Sequence, residues 1–164
     1  MKVVIIGGVA AGATAATRLR RLDERAEIVM LDKGPHVSFS NCSLPFRLSG
    51  TVEDTGKLVM MTPQAFAARY RIGARVNSEA VAIDRDSRTV RVRNLNDGTE
   101  YDESYDTLIL SPGARAIVPP IPGVDQADMF TLKTVADVDR LHTFLTERGV
   151  TRVSVVGGGF IGVE

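Results

Sequence analysis

Cys42 is the sequence's one cysteine, set in the segment SFSNCSLPF about ten residues after Asp32. At the start of a short helix a thiol gains thiolate character, because the helix N-terminus favours negative charge, and the thiolate is the form that attacks sulfur. The competing reading is an inert thiol, since an unpaired cysteine is among the residues most often buried. Two glycine turns offer a second chemistry. Gly157, Gly159 and Gly162 match G-x-G-x-x-G after the apolar run Arg152 to Val156. In that pattern the first glycine makes the tight turn, the second lets a pyrophosphate approach the backbone, and the third allows close packing of helix on strand. The turn GGVAAG keeps the outer glycines Gly7 and Gly12 but has Val9 in the middle. Asp32 compensates, because an acidic side chain at the end of the following strand can bind ribose hydroxyls while the pyrophosphate sits on the helix N-terminus. For each turn the plainer reading is a glycine that only lets helix and strand pack. Two such turns in one chain imply two dinucleotides and electron transfer between them. Arg18 and Arg21, one helical turn apart, have the spacing of a phosphate clamp, against the plainer reading of a solvated basic face. His36, in a loop, and His142, on a helix, read as structural or solvated rather than as acid-base groups.

These residues need particular elements beneath them. KVVII at residues 2 to 6 reads as a buried strand, Ala10 to Leu22 as the helix after the glycine turn, and EIVML at 27 to 31 as a second buried strand. Together they form a strand-helix-strand unit of about thirty residues, with the two strands parallel. Residues 35 to 56 are irregular, with a short helix expected after Cys42. Thr62-Pro63 reads as an N-cap followed by Pro at N1, opening a helix to about Tyr70. The period then changes to two: Glu79 to Arg85 and Arg88 to Leu95 alternate, with Val81/Ile83 and Val90/Val92 on one face, and Asn96-Asp97-Gly98 turns toward Tyr101. Thr107 to Leu110 returns as a buried strand. The Pro-rich segment Pro119 to Gly123 is a stiff connector and the expected domain boundary. Thr134 caps a helix that Gly149 ends, and Arg152 to Val156 is expected as a further strand. The fold class is therefore α/β, a Rossmann-like dinucleotide domain whose parallel sheet carries a β-meander, followed by the first strand and turn of a second nucleotide domain.

Composition narrows the classes. The 164 residues carry 20 Lys+Arg against 20 Asp+Glu, so no global positive field points to nucleic acid or an anionic membrane. One cysteine and two histidines give neither a disulfide nor a metal site, and a reducing, cytoplasmic compartment fits. The apolar start from Val3 to Ala16 has β-branched residues and a Gly/Ala run rather than the pattern of a targeting peptide, and no stretch reaches the ~18 apolar residues of a membrane span. A second strand-helix-strand unit needs about 30 residues, more than follow Gly157, so the sequence is expected to be part of a longer protein.

In order and spacing, VVIIGGVAAGATAATRLRRLDE, LDKG, SFSNCSLPF, YDTLILSPGA, PPIPGVD and VVGGGFIGVE together resemble the N-terminal part of the FAD-dependent pyridine nucleotide-disulfide oxidoreductases. The resemblance is to the single-cysteine branch of coenzyme A-disulfide reductases, NADH oxidases and peroxidases, and persulfide reductases. It implies that Gly7, Gly8, Ala10, Ala11 and Gly12 hold the FAD pyrophosphate and that Asp32 and Lys33 meet the adenosine ribose. Val81 is implied beside the adenine, Ser111, Pro112 and Gly113 closing over the cofactor, and Asn41 and Cys42 facing the flavin. Coenzyme A-binding positions map onto Thr14, Arg18, Arg21, Ser38 and Asn41, with Arg18 standing where the reductases have glutamine and Tyr70 where they have a lysine. Gly157, Gly159, Phe160, Ile161 and Gly162 are implied to bind NAD(P)H. Residues 1–118 would be an FAD-binding domain lacking its return segment, 119–149 a linker and connector helix, and 150–164 the start of an NAD(P)-binding domain.

By the same resemblance, a hydride passes from NAD(P)H to FAD and two electrons reach Cys42. No second cysteine completes a C-x-x-x-x-C or C-x-x-C pair, so Cys42 cycles either through a mixed disulfide with an external thiol or through a sulfenic acid. The first outcome is a disulfide or persulfide reductase, favoured by Arg18 and Arg21; the second is an NADH oxidase or peroxidase acting on oxygen species. A homodimer is implied for the full-length protein, and this part of it is expected to be inactive alone. Two other classes stay open: an NAD-dependent dehydrogenase with one nucleotide fold, and a non-catalytic dinucleotide-binding module in which Cys42 is a core thiol.

Overall fold

From Val3 to Ile6, strand β1 (Lys2–Ile6) is an unbroken apolar run because both of its faces are covered. Val3 and Ile5 point to one side, where they meet Ala13 and Ala16 of helix α1 (Ala10–Leu22) and Phe66 of helix α3 (Pro63–Tyr70). Val4 points to the other, toward Val90 and Val92 of strand β5 (Thr89–Asn94). Strands β2 (Glu27–Leu31) and β7 (Thr107–Leu110) flank β1 in parallel, and β3 (Ile72–Arg75) pairs in parallel with β2, giving the order β3-β2-β1-β7. Strands β4 (Ser78–Asp84), β5 and β6 (Glu100–Ser104) form a separate antiparallel sheet. Small residues along the buried stripe of α1, Gly12, Ala13 and Ala16, let the helix lie close to the sheet.

The structure, a computed structural model, describes residues 1–126 and 128–163. Met1–Phe39 with Val59–Gly113 make one compact unit, holding all seven strands; Ser40–Leu58 with Ala114–Glu164 make a second. This division does not follow the linear boundaries read from the sequence, since the segment with Cys42 groups with the later residues. In the second unit a 3-10 turn (Asn41–Ser43) leads into α2 (Leu44–Leu48), which packs against α4 (Val135–Glu147) through buried Leu44, Val135 and Val138. Thr134 and Asp137 cap α4 reciprocally, and Gly149 follows it at φ +58°. The last helix is α5 (Phe160–Val163).

One strand was not foreseen, and two expectations are corrected. Strand β3 lacks the length and alternation that would have marked it; its four residues IGAR are held by pairing with β2. Val81 does not share the buried face of Val90 and Val92: it is the extra residue of a bulge between Ala80 and Ala82, so Ala80 stands opposite Val92, while Ile83 stands opposite Val90 as expected; Val81 and Ile83 are both more than a third exposed. Residues 152–156 form no strand. A strand is stable only when paired, no described residue offers 152–156 a partner, and Val153, Val155 and Val156 stand exposed.

One ion cluster ties the antiparallel sheet to the parallel one. Glu103 of β6, whose side chain is 7% exposed, pairs with Lys2 of β1 and with Arg75 of β3, and Arg75 also donates to the Tyr101 hydroxyl at 3.0 Å. Burial pushes the Glu103 carboxyl up, but the hydrogen bonds from Lys2 and Arg75 and their charges outweigh it and hold the carboxyl below its ordinary 4.5. Replacing Glu103 by alanine is expected to cost about 2–3 kcal/mol near neutral pH, less than a fully buried pair because Lys2 and Arg75 can turn to water. A depressed folded-state pKa contributes stability above the unfolded value and loses it as pH falls through the folded one. Urea unfolding should therefore show the gap between wild type and Glu103→Ala closing below about pH 4.5.

Candidate functional site

In the first unit the glycine turn is built so tightly that no side chain fits. Gly7 has φ +96°, and a Cβ on it would overlap the Ser111 carbonyl. A Cβ on Gly12 would overlap the Gly7 carbonyl, so the first turn of α1 lies against the glycine turn. Gly8 needs glycine for a different reason: a Cβ there would come within 2.6 Å of Val37 Cγ1, and Val37 is fully buried. Ser111, at the end of β7, closes the turn from the other side, its hydroxyl 2.9 Å from the Ile6 carbonyl oxygen and 3.0 Å from that of Gly7. Val9 caps α1 without a side-chain hydrogen bond and the first turn carries no acidic residue. The amides of Ala10, Ala11 and Gly12 therefore lack a helical acceptor, which is the arrangement that accepts a phosphate.

Asp32 sits just past β2 and accepts from the turn itself, its Oδ2 from the Gly8 N–H at 2.7 Å and its Oδ1 from the Gly34 N–H at 2.8 Å. Each oxygen keeps lone-pair capacity for a hydroxyl. Lys33 beside it is exposed. Ser38 takes φ +50°, with its N–H on the Gly8 carbonyl and its own carbonyl accepting from Met60, so the turn is locked to the segment behind it. Thr14, Arg18 and Arg21 are all exposed along α1.

At Val81 the bulge leaves a residue without a directly opposed partner in the ladder. Val81 lines an apolar trough of about 390 Å³ together with Ile6, Ile83, Leu110 and Pro112. The sequence singled out Val81 and Pro112 but missed Ile83 and Leu110 as trough residues, and nothing short of the bulge would have marked them. Gly113 follows at φ +72°. The fold thus brings Gly7, Gly8, Gly12, Asp32, Val81, Ser111 and Pro112 to the C-terminal ends of the strands.

In the second unit Cys42 lies in the 3-10 turn, unpaired and exposed, and the reading of a buried core thiol is overturned. Asn41 fixes the turn from one side, its Nδ2 donating to the Lys133 carbonyl at 3.4 Å. The hydroxyls of Ser40 and Ser43 bond each other at 2.7 Å across it. Neither Lys133 nor the Ser40–Ser43 pair has a local sequence signal; Lys133 is 92 residues from Asn41. The second glycine turn repeats the geometry of the first: Gly157 has φ +112°, and a Cβ on Gly162 would overlap the Gly157 carbonyl. Gly159 accepts from the Gly162 N–H at 2.9 Å, and Phe160 is 90% exposed. The side chain of Ile161 lies outside the described residues. His36 and His142 are half-buried, and no cluster of metal-ligating side chains occurs among the described residues. None of the described helices is long and apolar enough to cross a membrane.

A side-chain-free turn at the end of β1, an open helix N-terminus and an acidic residue after β2 define a dinucleotide-binding α/β protein of Rossmann-like fold. Over residues 1–164 the chain matches the pyridine nucleotide-disulphide oxidoreductase family, and it belongs to that family. It is 37% identical over 163 residues to a coenzyme A disulfide reductase of Staphylococcus aureus, covering 99% of this chain and 36% of that protein. Among solved structures it is similar to reduced Bacillus anthracis CoADR-RHD, with a TM-score of 0.96 and 44% identity over 99% of this chain and 29% of that one. It is also similar to an NAD-dependent persulfide reductase from A. fulgidus, with a TM-score of 0.91 and 33% identity over 99% of this chain and 30% of that one. The chain thus spans about a third of the length of the curated relative it matches.

Proposed function

We propose that the protein carrying this chain is an FAD- and NAD(P)H-dependent oxidoreductase that reduces a sulfur-sulfur bond, in a coenzyme A disulfide or a persulfide, through Cys42. The observation that carries this reading is an exposed, unpaired thiol in a chain of this family. Residues 1–118 serve as the FAD-binding domain, 119–149 as linker and connector helix, and 150–164 as the start of the NAD(P)-binding domain.

The residues fit FAD. Gly7 and Gly12 let the turn and the first turn of α1 pack backbone against backbone, and the amides of Ala10, Ala11 and Gly12 supply donors for a pyrophosphate. Asp32 and Lys33 take the ribose, Val81 at the bulge lies beside the adenine, and the apolar trough takes its face. Ser111, Pro112 and Gly113 bound the site, with Gly8 closing the turn from below. Bound there, FAD supplies the two-electron relay from NAD(P)H to sulfur. Gly157, Gly159, Phe160, Ile161 and Gly162 hold the NAD(P)H pyrophosphate.

For the sulfur chemistry, the Cys42 thiolate attacks one sulfur of the disulfide, the new S–S bond forms as the old one breaks, and the first thiol leaves. Two electrons and a proton then cleave the Cys42–sulfur bond, releasing the second thiol and restoring the thiolate. Asn41 holds the turn that presents Cys42. Thr14, Arg18, Arg21 and Ser38 bind the thiol substrate, the two guanidinium groups taking its phosphates.

Turnover of the intact protein on coenzyme A disulfide, a glutathione persulfide and oxygen tests the reading. We expect kcat/KM on one of the two sulfur substrates to exceed that on oxygen by about tenfold or more. Faster oxygen consumption, with Cys42 trapped as a sulfenic acid, would overturn it in favour of an oxidase.

A further inference from the structure

At the opposite end of the strands from the glycine turn, a cavity of about 510 Å³ opens between the end of α1, the start of β2 and the turn from α3 into β3. Four arginines line it, and their charge is poorly compensated. Arg75 is committed to Glu103 and Tyr101. Arg20 is buried at 8% exposure, yet its guanidinium is satisfied wholly by backbone carbonyls, those of Tyr70, Arg71, Asp23 and Glu24. Arg71 donates to the same Glu24 carbonyl at 3.2 Å, so two guanidinium groups crowd one neutral oxygen. Arg25 also lines the cavity. Among the described residues no carboxylate lies within 4.0 Å of the charged groups of Arg20, Arg25 or Arg71. Of the two carboxylates on the rim, Glu27 pairs with Lys2 at 3.4 Å, which leaves Glu24 alone against three cations.

The backbone gives an independent sign. Arg71 is the C-cap of α3 with φ +51° and ψ +43°, the left-handed position at which glycine is the unstrained residue. A bulky side chain kept in that conformation, its carbonyl clamped by the buried Arg20, points to use of the side chain. Arg25 and Arg71 suit a dianion, because a guanidinium can donate parallel hydrogen bonds to phosphate oxygens; Arg20, its donors spent on backbone carbonyls, adds only its charge to the cavity wall.

We infer that this cavity is a binding site for a phosphate monoester, held by Arg25 and Arg71 with Arg20 as the fixed floor. It lies roughly 15 Å from the glycine turn, the length of a five-residue strand, and does not depend on the flavin reading. The intact protein is titrated with phenyl phosphate by calorimetry at fixed ionic strength. Saturable binding is expected in the wild type, weakened about tenfold or more by both Arg71→Gly and Arg25→Ala. Glycine suits the left-handed backbone, so Arg71→Gly should keep or raise the melting temperature. Adding coenzyme A tells the source: displacement assigns the ester to a phosphorylated thiol, and no displacement to a separate phosphate ester, the arginine dependence standing in both cases. Absence of saturable binding, or affinities within twofold of wild type in both variants, would overturn the site.

Discussion

Replacing Gly12 by alanine should abolish flavin binding and destabilise the first unit by about 3 kcal/mol or more. The added Cβ would overlap the Gly7 carbonyl and come within 2.8 Å of the Ser111 hydroxyl, so both the turn and the end of β7 resist it. Backbone cannot swing aside as a flexible side chain can, and the only relief is to lift α1 from the sheet. That movement would carry the amides of Ala10 and Ala11 away from the phosphate position and expose Ala13 and Ala16, which are buried. Gly158→Ala is the matched control. Gly158 has an ordinary φ and nothing within 4 Å of its added Cβ, so its cost should stay within about 0.5 kcal/mol. Denaturant unfolding and the flavin absorbance of the two purified variants check the contrast.

Cys42→Ser in the intact protein should leave folding and flavin content unchanged while lowering disulfide turnover by about a thousandfold or more. Structural indifference follows from position: Cys42 is exposed, and the turn around it is held by Asn41 and the Ser40–Ser43 pair rather than by the thiol. The chemical loss follows from the element. A serine hydroxyl is scarcely ionised at neutral pH, and its oxygen forms no counterpart of the S–S bond through which two electrons are accepted and returned. With no second cysteine in the chain, nothing in it takes over. Steady-state rates on coenzyme A disulfide, with the flavin spectrum recorded on the same samples, separate loss of chemistry from loss of cofactor.

Most of the first unit, and α4 of the second, was legible because the signals are local. The apolar runs KVVII and EIVML, the Thr62-Pro63 start and the Thr134 cap each determine an element within a few residues, and the strands and helices lie where those signals put them. The glycine turn was legible for the same reason, since only glycine tolerates the contacts at positions 7 and 12. What escaped depends on residues far apart in sequence. β3 exists because β2 offers it an edge, and the Val81 bulge arises from cross-strand register that alternation alone misassigns. Residues 152–156 show the converse: a strand-like run stays irregular where no described strand lies beside it. At Cys42 the residue was evident from its solitude, but its exposure and the Asn41 tether to Lys133 come from tertiary packing.

The proposed chemistry turns on sulfur exchange between Cys42 and its substrate. The direct test is to reduce the intact protein, remove the reductant, add coenzyme A disulfide without NAD(P)H, and read the mass of the peptide containing Cys42. One coenzyme A attached to that peptide through a disulfide is expected, with one equivalent of free coenzyme A released. An unmodified Cys42 peptide in a protein that still turns over coenzyme A disulfide would contradict it.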